Sequence, residues 1–182
     1  MSIILIGGGA RSGKSAFALG LARRLGHGRM FVATAEPGDG EMCARIARHR
    51  EERGDGFVTI EEPIDVTCVL RRPTPADCVV VDCLTLWLSN LLVRGESEAA
   101  ILTRAEELLA AAAERPCPVI LVTNEVGLGL VPETSLGRAF RDIAGRIHQR
   151  AAARAAEVYL AVLGMVLRLR PDPVTAVSLE ES

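Results

Sequence analysis

Short hydrophobic segments alternate along the chain with longer segments of helical pattern. Five of the hydrophobic segments have strand length and are rich in β-branched residues, at positions 3–6, 30–33, 79–81, 119–122 and 158–162. Most of them lack an alternation with polar residues, which is typical of strands that are buried on both faces of a parallel sheet. The pattern therefore predicts a central, mainly parallel β-sheet.

The segments between these strands have the spacing and composition of helices. They cover positions 15–25, 41–53, 98–113 and 136–156, and Gly26 and Pro116 are stop signals for the first and third of them. Strands that alternate with helices predict right-handed crossovers and helices on both faces of the sheet. We expect an α/β, three-layer domain with a mainly parallel sheet at residues 1–170, followed by a loosely held C-terminal tail at residues 171–182.

Composition narrows the possible classes of protein. The 182 residues are 49% hydrophobic and 24% charged, and the net charge of -2 gives no electrostatic reason to expect a nucleic-acid partner. No hydrophobic run approaches the 18 residues of a membrane span. Five scattered cysteines without a CxxC pair, in a chain without a signal-peptide pattern, predict reduced thiols and a cytoplasmic protein.

A phosphate-binding motif lies between the first predicted strand and the first predicted helix. The segment is Gly8-Gly9-Ala10-Arg11-Ser12-Gly13-Lys14-Ser15, which matches G-x-x-x-x-G-K-[ST] without a gap, so we expect the α/β domain to be a P-loop NTPase domain. In such a loop the backbone N–H groups surround phosphate oxygens, the lysine reaches the β- and γ-phosphates, and the serine binds Mg²⁺. Lys14 is the only lysine, against 20 arginines, so a compact ammonium group is kept where a planar guanidinium does not fit.

An acidic residue follows the third predicted strand. Asp82 ends the segment Val79-Val80-Val81-Asp82, and ligands of open α/β sheets bind at the carboxyl ends of the strands. A carboxylate there is placed to hold Mg²⁺ through water, together with Ser15.

A histidine lies on the charged second helix. Arg45 and Arg53 are four residues on either side of His49, so the three side chains share one face. Two guanidinium groups disfavour protonation of the imidazole, which leaves a neutral ring able to act as a nucleophile, and they can also bind phosphate. The alternative is a solvent-exposed charged helix with an incidental histidine.

Several further motifs resemble one enzyme family. They are A-T-A-E at 33–36, E-M-x-x-R-I-x-x-H-R at 41–50, D-C-L-T-L-W-L-x-N at 82–90, T-N-E-V-G-x-G-x-V-P at 123–132 and F-R-D-I-A-G-R at 140–146. With the phosphate loop, they make the chain similar from about residue 3 to 169 to the bifunctional adenosylcobinamide kinase / adenosylcobinamide-phosphate guanylyltransferases of cobalamin biosynthesis.

The resemblance implies two reactions in one domain. ATP or GTP phosphorylates the aminopropanol hydroxyl of adenosylcobinamide, and GTP then transfers GMP to a histidine and from it to the phosphorylated cobinamide, giving adenosylcobinamide-GDP. By position, the nucleophile is His49, with Lys14 as a second catalytic residue. The implied nucleotide contacts are Gly8 to Ser15, Ala33, Thr34, Ala35, Arg50, Glu51, Glu52, Arg53, Glu61 and Asp82.

The resemblance leaves some assignments open. Either Glu61 or Asp82 can accept hydrogen bonds from guanine or serve the metal, and Asp82 stands where some relatives have glutamate. Arg48 stands where some relatives have a second histidine, which leaves His49 as the nucleophile. His148 is expected to be structural and His27 incidental. The family also implies a homo-oligomer, often a trimer, and we expect the segment after Thr123 to close over cobinamide or nucleotide.

Two other functions are compatible with a phosphate loop. A simple small-molecule kinase uses Lys14, Ser15 and Asp82 but gives His49 no role. A GTP-dependent regulatory module needs an N-K-x-D motif for guanine after a late strand, whereas this chain has T-N-E-V at 123–126. The regulatory function is therefore disfavoured, and labelling by GTP separates the kinase from the bifunctional enzyme.

Overall fold

Strands and helices alternate in the computed structural model, which describes residues 2–38, 40–172 and 174–177, without the side chains of Glu41, Arg45 and residues 175–177. The strands are β1 (Ile3–Gly8), β2 (Arg29–Ala33), β3 (Val58–Glu61), β4 (Cys78–Asp82), β5 (Val119–Asn124), β6 (Glu157–Val162), β7 (Met165–Arg170) and β8 (Thr175–Val177). The helices are α1 (Lys14–Leu25), α2 (Gly40–Arg53), α3 (Val66–Arg71), α4 (Leu84–Val93), α5 (Glu98–Glu114) and α6 (Ser135–Arg154).

The strands form a single sheet in the order β3-β2-β4-β5-β1-β6-β7-β8. The first six strands in this order are parallel to their neighbours, while β7 is antiparallel to β6 and β8 is antiparallel to β7. The predicted mainly parallel sheet is confirmed, and all five predicted strands lie within β1, β2, β4, β5 and β6.

Helices cover both faces of this sheet. Ile3 and Leu5 of β1 face the larger core, which they share with α3, α4, α5 and α6. Ile4 and Ile6 face the smaller core, where α1 packs. Successive strand residues point to opposite faces, so a strand that is covered twice must be hydrophobic throughout. The predicted three-layer arrangement is therefore confirmed.

Five elements were not predicted from the pattern: β3, α3, α4, β7 and β8. Strand β3 is an exposed edge strand of only four residues, and α4 is so uniformly hydrophobic that it shows little helical periodicity. A tight turn joins β6 to β7, with positive φ angles at Leu163 and Gly164. Residues 175–177 of the predicted tail pair with β7 as β8, whereas residues 178–182 lie outside the described residues.

The parallel strands end at one edge of the sheet, and this edge positions the functional residues. Gly8 of β1 pairs with Asn124 of β5, while Ala33 of β2 pairs with both Asp82 of β4 and Glu61 of β3. Residues at the ends of five neighbouring strands are thus brought together from distant parts of the chain. None of the helices in the described ranges is long and hydrophobic enough to cross a membrane.

Candidate active site

The phosphate loop joins β1 to α1 in the predicted position. Gly13 precedes α1 with a φ of 94°, in the left-handed region that favours glycine. A Cβ atom on Gly8 would lie 2.4 Å from the carbonyl oxygen of Ala161 and 2.6 Å from Ser12 Oγ, so no larger side chain fits there. The loop therefore requires glycine at Gly8 for space and at Gly13 for conformation.

Lys14 is held close to the loop that precedes it. Its Nζ donates a hydrogen bond of 3.1 Å to the carbonyl oxygen of Gly9, and the residue is only 7% exposed. Ser12 Oγ is also buried, and no hydrogen-bond partner for it occurs among the described residues. A buried ammonium group and a buried hydroxyl group beside the N-terminus of α1 suit a phosphate group.

A cavity of about 280 Å³ extends from this loop along the carboxyl edge of the sheet. Helix α2 lies over it and contributes Met42, Ile46 and other residues to its lining. Nine residues from the predicted set line this cavity: Lys14, Ser15, Ala33, Ala35, His49, Arg50, Arg53, Glu61 and Asp82. The structure therefore brings the histidine of α2 and the lysine of the phosphate loop to one site.

Asp82 lies at the centre of this site with its side chain largely enclosed. Burial raises the pKa of the Asp82 carboxyl group, and this effect exceeds the opposing effects of His49, of a hydrogen bond from Ser15, and of Lys14 and Arg53. The surrounding groups are thus cationic or hydrogen-bond donors, yet burial has the larger effect on the pKa of Asp82. A bound cation in this position would favour the ionised form.

Two arginines of α2 occupy different environments. Arg53 is 6% exposed, and its guanidinium carbon lies 4.1 Å from the ring centroid of Phe31, while burial lowers the pKa of Arg53. Arg50 is largely exposed and forms an ion pair with Glu61 at the end of β3. The predicted pairing of Arg45 with His49 involves a side chain outside the described residues. Arg53 is therefore the fixed cation of this site and Arg50 a more accessible one.

Thr34 has a structural position although the resemblance places it among the nucleotide contacts. It is fully buried, and its Oγ1 donates a hydrogen bond of 2.8 Å to the carbonyl oxygen of Cys83 and accepts one of 2.7 Å from the Cys83 N–H. This pair of bonds joins the segment after β2 to the segment after β4. Ala33 and Ala35 on either side line the cavity, so this part of the motif offers backbone and small side chains to a ligand.

The two remaining acidic candidates lie away from the cavity. Glu51 and Glu52 are exposed, and Glu52 Oε1 lies 3.9 Å from Arg48 Nε on the same helix. Since neither residue lines the cavity, any contact with nucleotide requires a different placement of the end of α2.

Sequence reasoning did not assign several residues of the cavity lining. They are Phe31, Pro37, Met42, Cys43, Ile46, Ala47, Cys83, Leu86 and Asn124. Most are hydrophobic side chains whose type does not distinguish a ligand contact from a core contact. Asn124 is different, because it begins the segment after Thr123 that is expected to close over cobinamide or nucleotide, and a polar residue at the end of a buried strand is itself a signal of a ligand site.

The other two histidines lie elsewhere. His148 Nε2 is 2.7 Å from Oγ1 of the buried Thr123, and burial lowers the pKa of His148. His27 is exposed in the turn before β2. Neither lines the cavity, so His49 is the histidine that the described structure places at this site.

The site combines the parts that phosphoryl and nucleotidyl transfer require. A lysine and a serine at a helix N-terminus suit the phosphates, a carboxylate and hydroxyl oxygens suit a hard divalent cation, and a histidine can attack phosphorus. Cys43 and Cys83 also line the cavity, and burial raises the pKa of the Cys83 thiol to about 11. His49 is therefore a better nucleophile than Cys83.

Comparison with known proteins agrees with this arrangement. A profile of the family described as cobinamide kinase / cobinamide phosphate guanyltransferase matches residues 4–169. The chain is 45% identical to the bifunctional adenosylcobalamin biosynthesis protein CobP of Pseudomonas aeruginosa, over 93% of this chain and 98% of that protein. It is 40% identical to the bifunctional protein CobU of Salmonella typhimurium, over 92% and 99% of the two chains.

Solved structures of lower identity share the fold. The RadB recombinase superposes with a TM-score of 0.54 at 17% identity, over 99% of this chain and 89% of the other. An ATPase of a type III secretion system superposes with a TM-score of 0.52 at 13% identity, over 87% of this chain and half of the other. These likenesses concern the P-loop fold alone. The family match and the identity to full-length relatives go further, and they show that this chain belongs to the cobinamide kinase / cobinamide phosphate guanyltransferase family.

Proposed function

We propose that this chain is a bifunctional transferase that acts on adenosylcobinamide. It transfers the γ-phosphoryl group of ATP or GTP to a hydroxyl group of the substrate, and it then transfers GMP from GTP to the phosphate it has made. The observation that supports this proposal most directly is that His49 and Lys14 line the same cavity. A phosphate loop alone explains a kinase, whereas a histidine facing that loop explains a nucleotidyl transfer.

In the kinase reaction, the substrate hydroxyl oxygen forms a bond to the γ-phosphorus while the bond from that phosphorus to the β–γ bridging oxygen breaks. Lys14 and the backbone of the loop stabilise the charge that develops on the phosphates. Such positioned charges account for most of the catalysis in phosphoryl transfer, because the protein contributes little covalent chemistry.

In the guanylyl transfer, a ring nitrogen of His49 attacks the α-phosphorus of GTP, and pyrophosphate leaves as its bond to that phosphorus breaks. An oxygen of cobinamide phosphate then attacks the same phosphorus and the histidine leaves. Arg53 is placed to stabilise charge on the α-phosphate, and Lys14 the charge on pyrophosphate. The covalent intermediate on His49 thus divides the transfer of GMP between two anionic substrates, GTP and cobinamide phosphate, into two successive displacements.

A magnesium ion fits the chemistry of the site. Ser15 and Asp82 are linked by a hydrogen bond at the cavity, and both present the oxygen ligands that Mg²⁺ prefers. No group of three or more His, Cys, Asp or Glu side chains able to hold a metal occurs in the described part of the chain. We therefore assign to Ser15 and, through water, Asp82 the role of holding a cation that the phosphates also bind. When bound, this ion neutralises phosphate charge.

The proposal includes three features that the family implies. Nucleotide contacts extend along the cavity from the phosphate loop to Ala33, Ala35, Arg50, Arg53 and Glu61. The family also implies contacts of Glu51 and Glu52, which need a different placement of the end of α2. The enzyme acts as a homo-oligomer, with a trimer as the expected form. Its cysteines are free thiols, which suits the reducing cytoplasm where nucleotide triphosphates are abundant.

A test separates the bifunctional enzyme from a simple kinase. The purified protein is incubated with Mg²⁺ and GTP labelled at the α-phosphate, denatured, and tested for bound label that survives alkali and is lost in acid. We expect this phosphoramidate label on the wild type and none on His49→Ala. We also expect His49→Ala to retain most of the kinase activity, because the phosphate loop is unchanged.

His27→Ala is the matched control, since it removes an exposed histidine outside the cavity. It should label like the wild type. Undiminished guanylyl transfer to cobinamide phosphate by His49→Ala would refute the covalent intermediate, and an unlabelled wild type with kinase activity would favour the simple kinase.

A further inference from the structure

Asn124 lines the cavity with a polar side chain that the mechanism described above does not use. It ends β5, which lies in the sheet between β4, which ends at Asp82, and β1, which leads into the phosphate loop. Its neighbour in the pairing of β5 with β1 is Gly8, and the N–H of Glu125 donates a hydrogen bond of 3.0 Å to the Gly8 carbonyl oxygen. Asn124 is therefore attached to the base of the phosphate loop.

The orientation of its amide group is determined by Thr85. Asn124 Nδ2 donates a hydrogen bond of 3.1 Å to Thr85 Oγ1, and the Asn124 backbone N–H donates to the same oxygen at 3.3 Å. Thr85 Oγ1 is also 3.1 Å from Cys83 Sγ, and Thr85 itself is 4% exposed. The amide nitrogen is thus bound to Thr85 of α4.

Because Nδ2 is bound to Thr85, the amide oxygen of Asn124, Oδ1, is the atom of this side chain that can still bind a ligand. Asn124 Oδ1 is buried, and among the described residues none donates a hydrogen bond to it. Leaving such an acceptor unpaired costs roughly 1–3 kcal/mol, so a buried acceptor at a binding site is expected to gain its partner from the ligand.

The chemistry of the acceptor selects its partner. Phosphate oxygens are acceptors and repel an amide oxygen, so Oδ1 does not serve to bind nucleotide phosphate. Its partner is a hydrogen-bond donor or a cation, and the donor that the kinase reaction supplies is the hydroxyl group that attacks the γ-phosphate. An amide oxygen is too weak a base to remove the proton, so it can only orient the hydroxyl group.

We propose that Asn124 is a positioning residue for the phosphoryl acceptor, and that its Oδ1 accepts a hydrogen bond from the attacking hydroxyl group of the substrate. This directs an oxygen lone pair at the γ-phosphorus. The new oxygen–phosphorus bond forms, the bond to the leaving nucleoside diphosphate breaks, and the hydroxyl proton passes to a phosphoryl oxygen of the product and then to solvent. The inference rests on the kinase half of the proposed function.

The test compares Asn124→Ala with the wild type in both reactions. We expect the kcat for phosphorylation of cobinamide to fall about 10²-fold, the effect of losing the orientation of a reacting group. The KM for the nucleotide should change by less than about threefold, and the labelling of His49 by GTP should be retained, because that nucleophile lies on α2. Hydrolysis of nucleotide by water should become a larger share of the turnover.

Two further variants distinguish a role of Asn124 in positioning the hydroxyl group from a role in supporting strand β5. Asn124→Asp keeps an oxygen at the position of Oδ1, so it should recover at least a tenth of the wild-type kcat. Thr85→Val removes the oxygen that holds the Nδ2 but retains the Oδ1, so it should lower stability more than it lowers the ratio of phosphorylation to hydrolysis.

Three results would overturn the proposal. They are a wild-type kcat in Asn124→Ala, an equal loss of phosphorylation and His49 labelling, or an increase in the nucleotide KM without a loss of kcat, which would assign Oδ1 to the nucleotide or its metal ion. A wild type without kinase activity would instead refute the proposed function, so the two failures are distinguishable.

Discussion

Lys14 shows how a single residue type meets a geometric requirement. All 20 other basic side chains are arginines, and many of them pair with carboxylates or carbonyl groups on the surface. Lys14 lies where the chain turns from loop to helix, is 7% exposed, and contacts the carbonyl oxygen of Gly9. A guanidinium group is planar and longer, and it cannot present a point charge in that space.

Replacement of Lys14 by arginine is therefore expected to damage both reactions although the charge is unchanged. Loss of a positioned charge at a transition state costs about 10²–10³-fold in kcat, and we expect a loss of at least about 10²-fold here. Steady-state kinetics of phosphorylation and of guanylyl transfer measure it. Arg24→Lys, the reverse exchange at an exposed position of α1, is the control and should be active. Normal activity of Lys14→Arg would refute the geometric argument.

Helix α4 connects the loops that surround the site. Asn90 Nδ2 donates to the carbonyl oxygens of Thr34 at 2.8 Å and Pro63 at 3.1 Å, which lie after β2 and β3. Trp87, 1% exposed, donates from Nε1 to the carbonyl oxygen of Ile64 at 2.9 Å. The segment from Asp82 to Asn90 therefore links β2, β3 and β4 at the edge where the cavity lies.

We expect Asn90→Ala to lower the free energy of unfolding by roughly 1–3 kcal/mol, because two partly buried carbonyl groups lose their donor. Denaturant unfolding measures the change. Val93→Ala on the same helix is the matched control, since Val93 is 78% exposed and its truncation should alter stability by less than about 0.5 kcal/mol. An Asn90→Ala protein as stable as the control would show that α4 does not connect these loops energetically.

For the whole molecule, the enclosed carboxyl group at the site reduces stability. Folding raises the pKa of Asp82 above its ordinary value of 3.8. Between the ordinary pKa and the folded-state pKa, the folded protein therefore binds more protons than the unfolded protein. The free energy of unfolding is therefore highest below the ordinary pKa of Asp82. It decreases as the pH rises from about 4 through the folded-state pKa. Such a cost is common where function requires a buried charge.

Asp82→Asn should accordingly raise the Tm of the free protein at pH 7 while it lowers both activities. Thermal unfolding between pH 4 and 8 provides the measurement, and the gain in Tm should be larger at pH 7 than at pH 4. Asp77→Asn is the control, because hydrogen bonds from Gly28 and His27 lower the pKa of that exposed carboxyl group. The ionised Asp77 carboxylate stabilises the folded protein above its ordinary pKa, and this stabilisation is lost as the pH falls. A lower Tm for Asp82→Asn at pH 7 would contradict the assignment.

The local sequence pattern was sufficient to predict much of the architecture and part of the candidate site. The buried strands, four of the helices and the glycine-rich loop follow from hydrophobic period, glycine and the motif around Lys14, because these depend on residues close in sequence. Asp82 followed from its place after a buried strand. The short exposed strand β3 and the uniformly hydrophobic helix α4 did not, because neither has a distinctive period.

The fold class, the phosphate loop and, through the motifs, the family could therefore be predicted from residues close in sequence. Which side chains meet at the site depends on the folded chain. The tertiary structure placed His49 in the cavity with Lys14 and left Glu51 and Glu52 outside, and it left the amide oxygen of Asn124 buried without a hydrogen-bond donor among the described residues. Strand order, the position of α2 over the sheet edge and the hydrogen bond from Asn124 to Thr85 depend on contacts between residues distant in the chain, and no local pattern records such contacts.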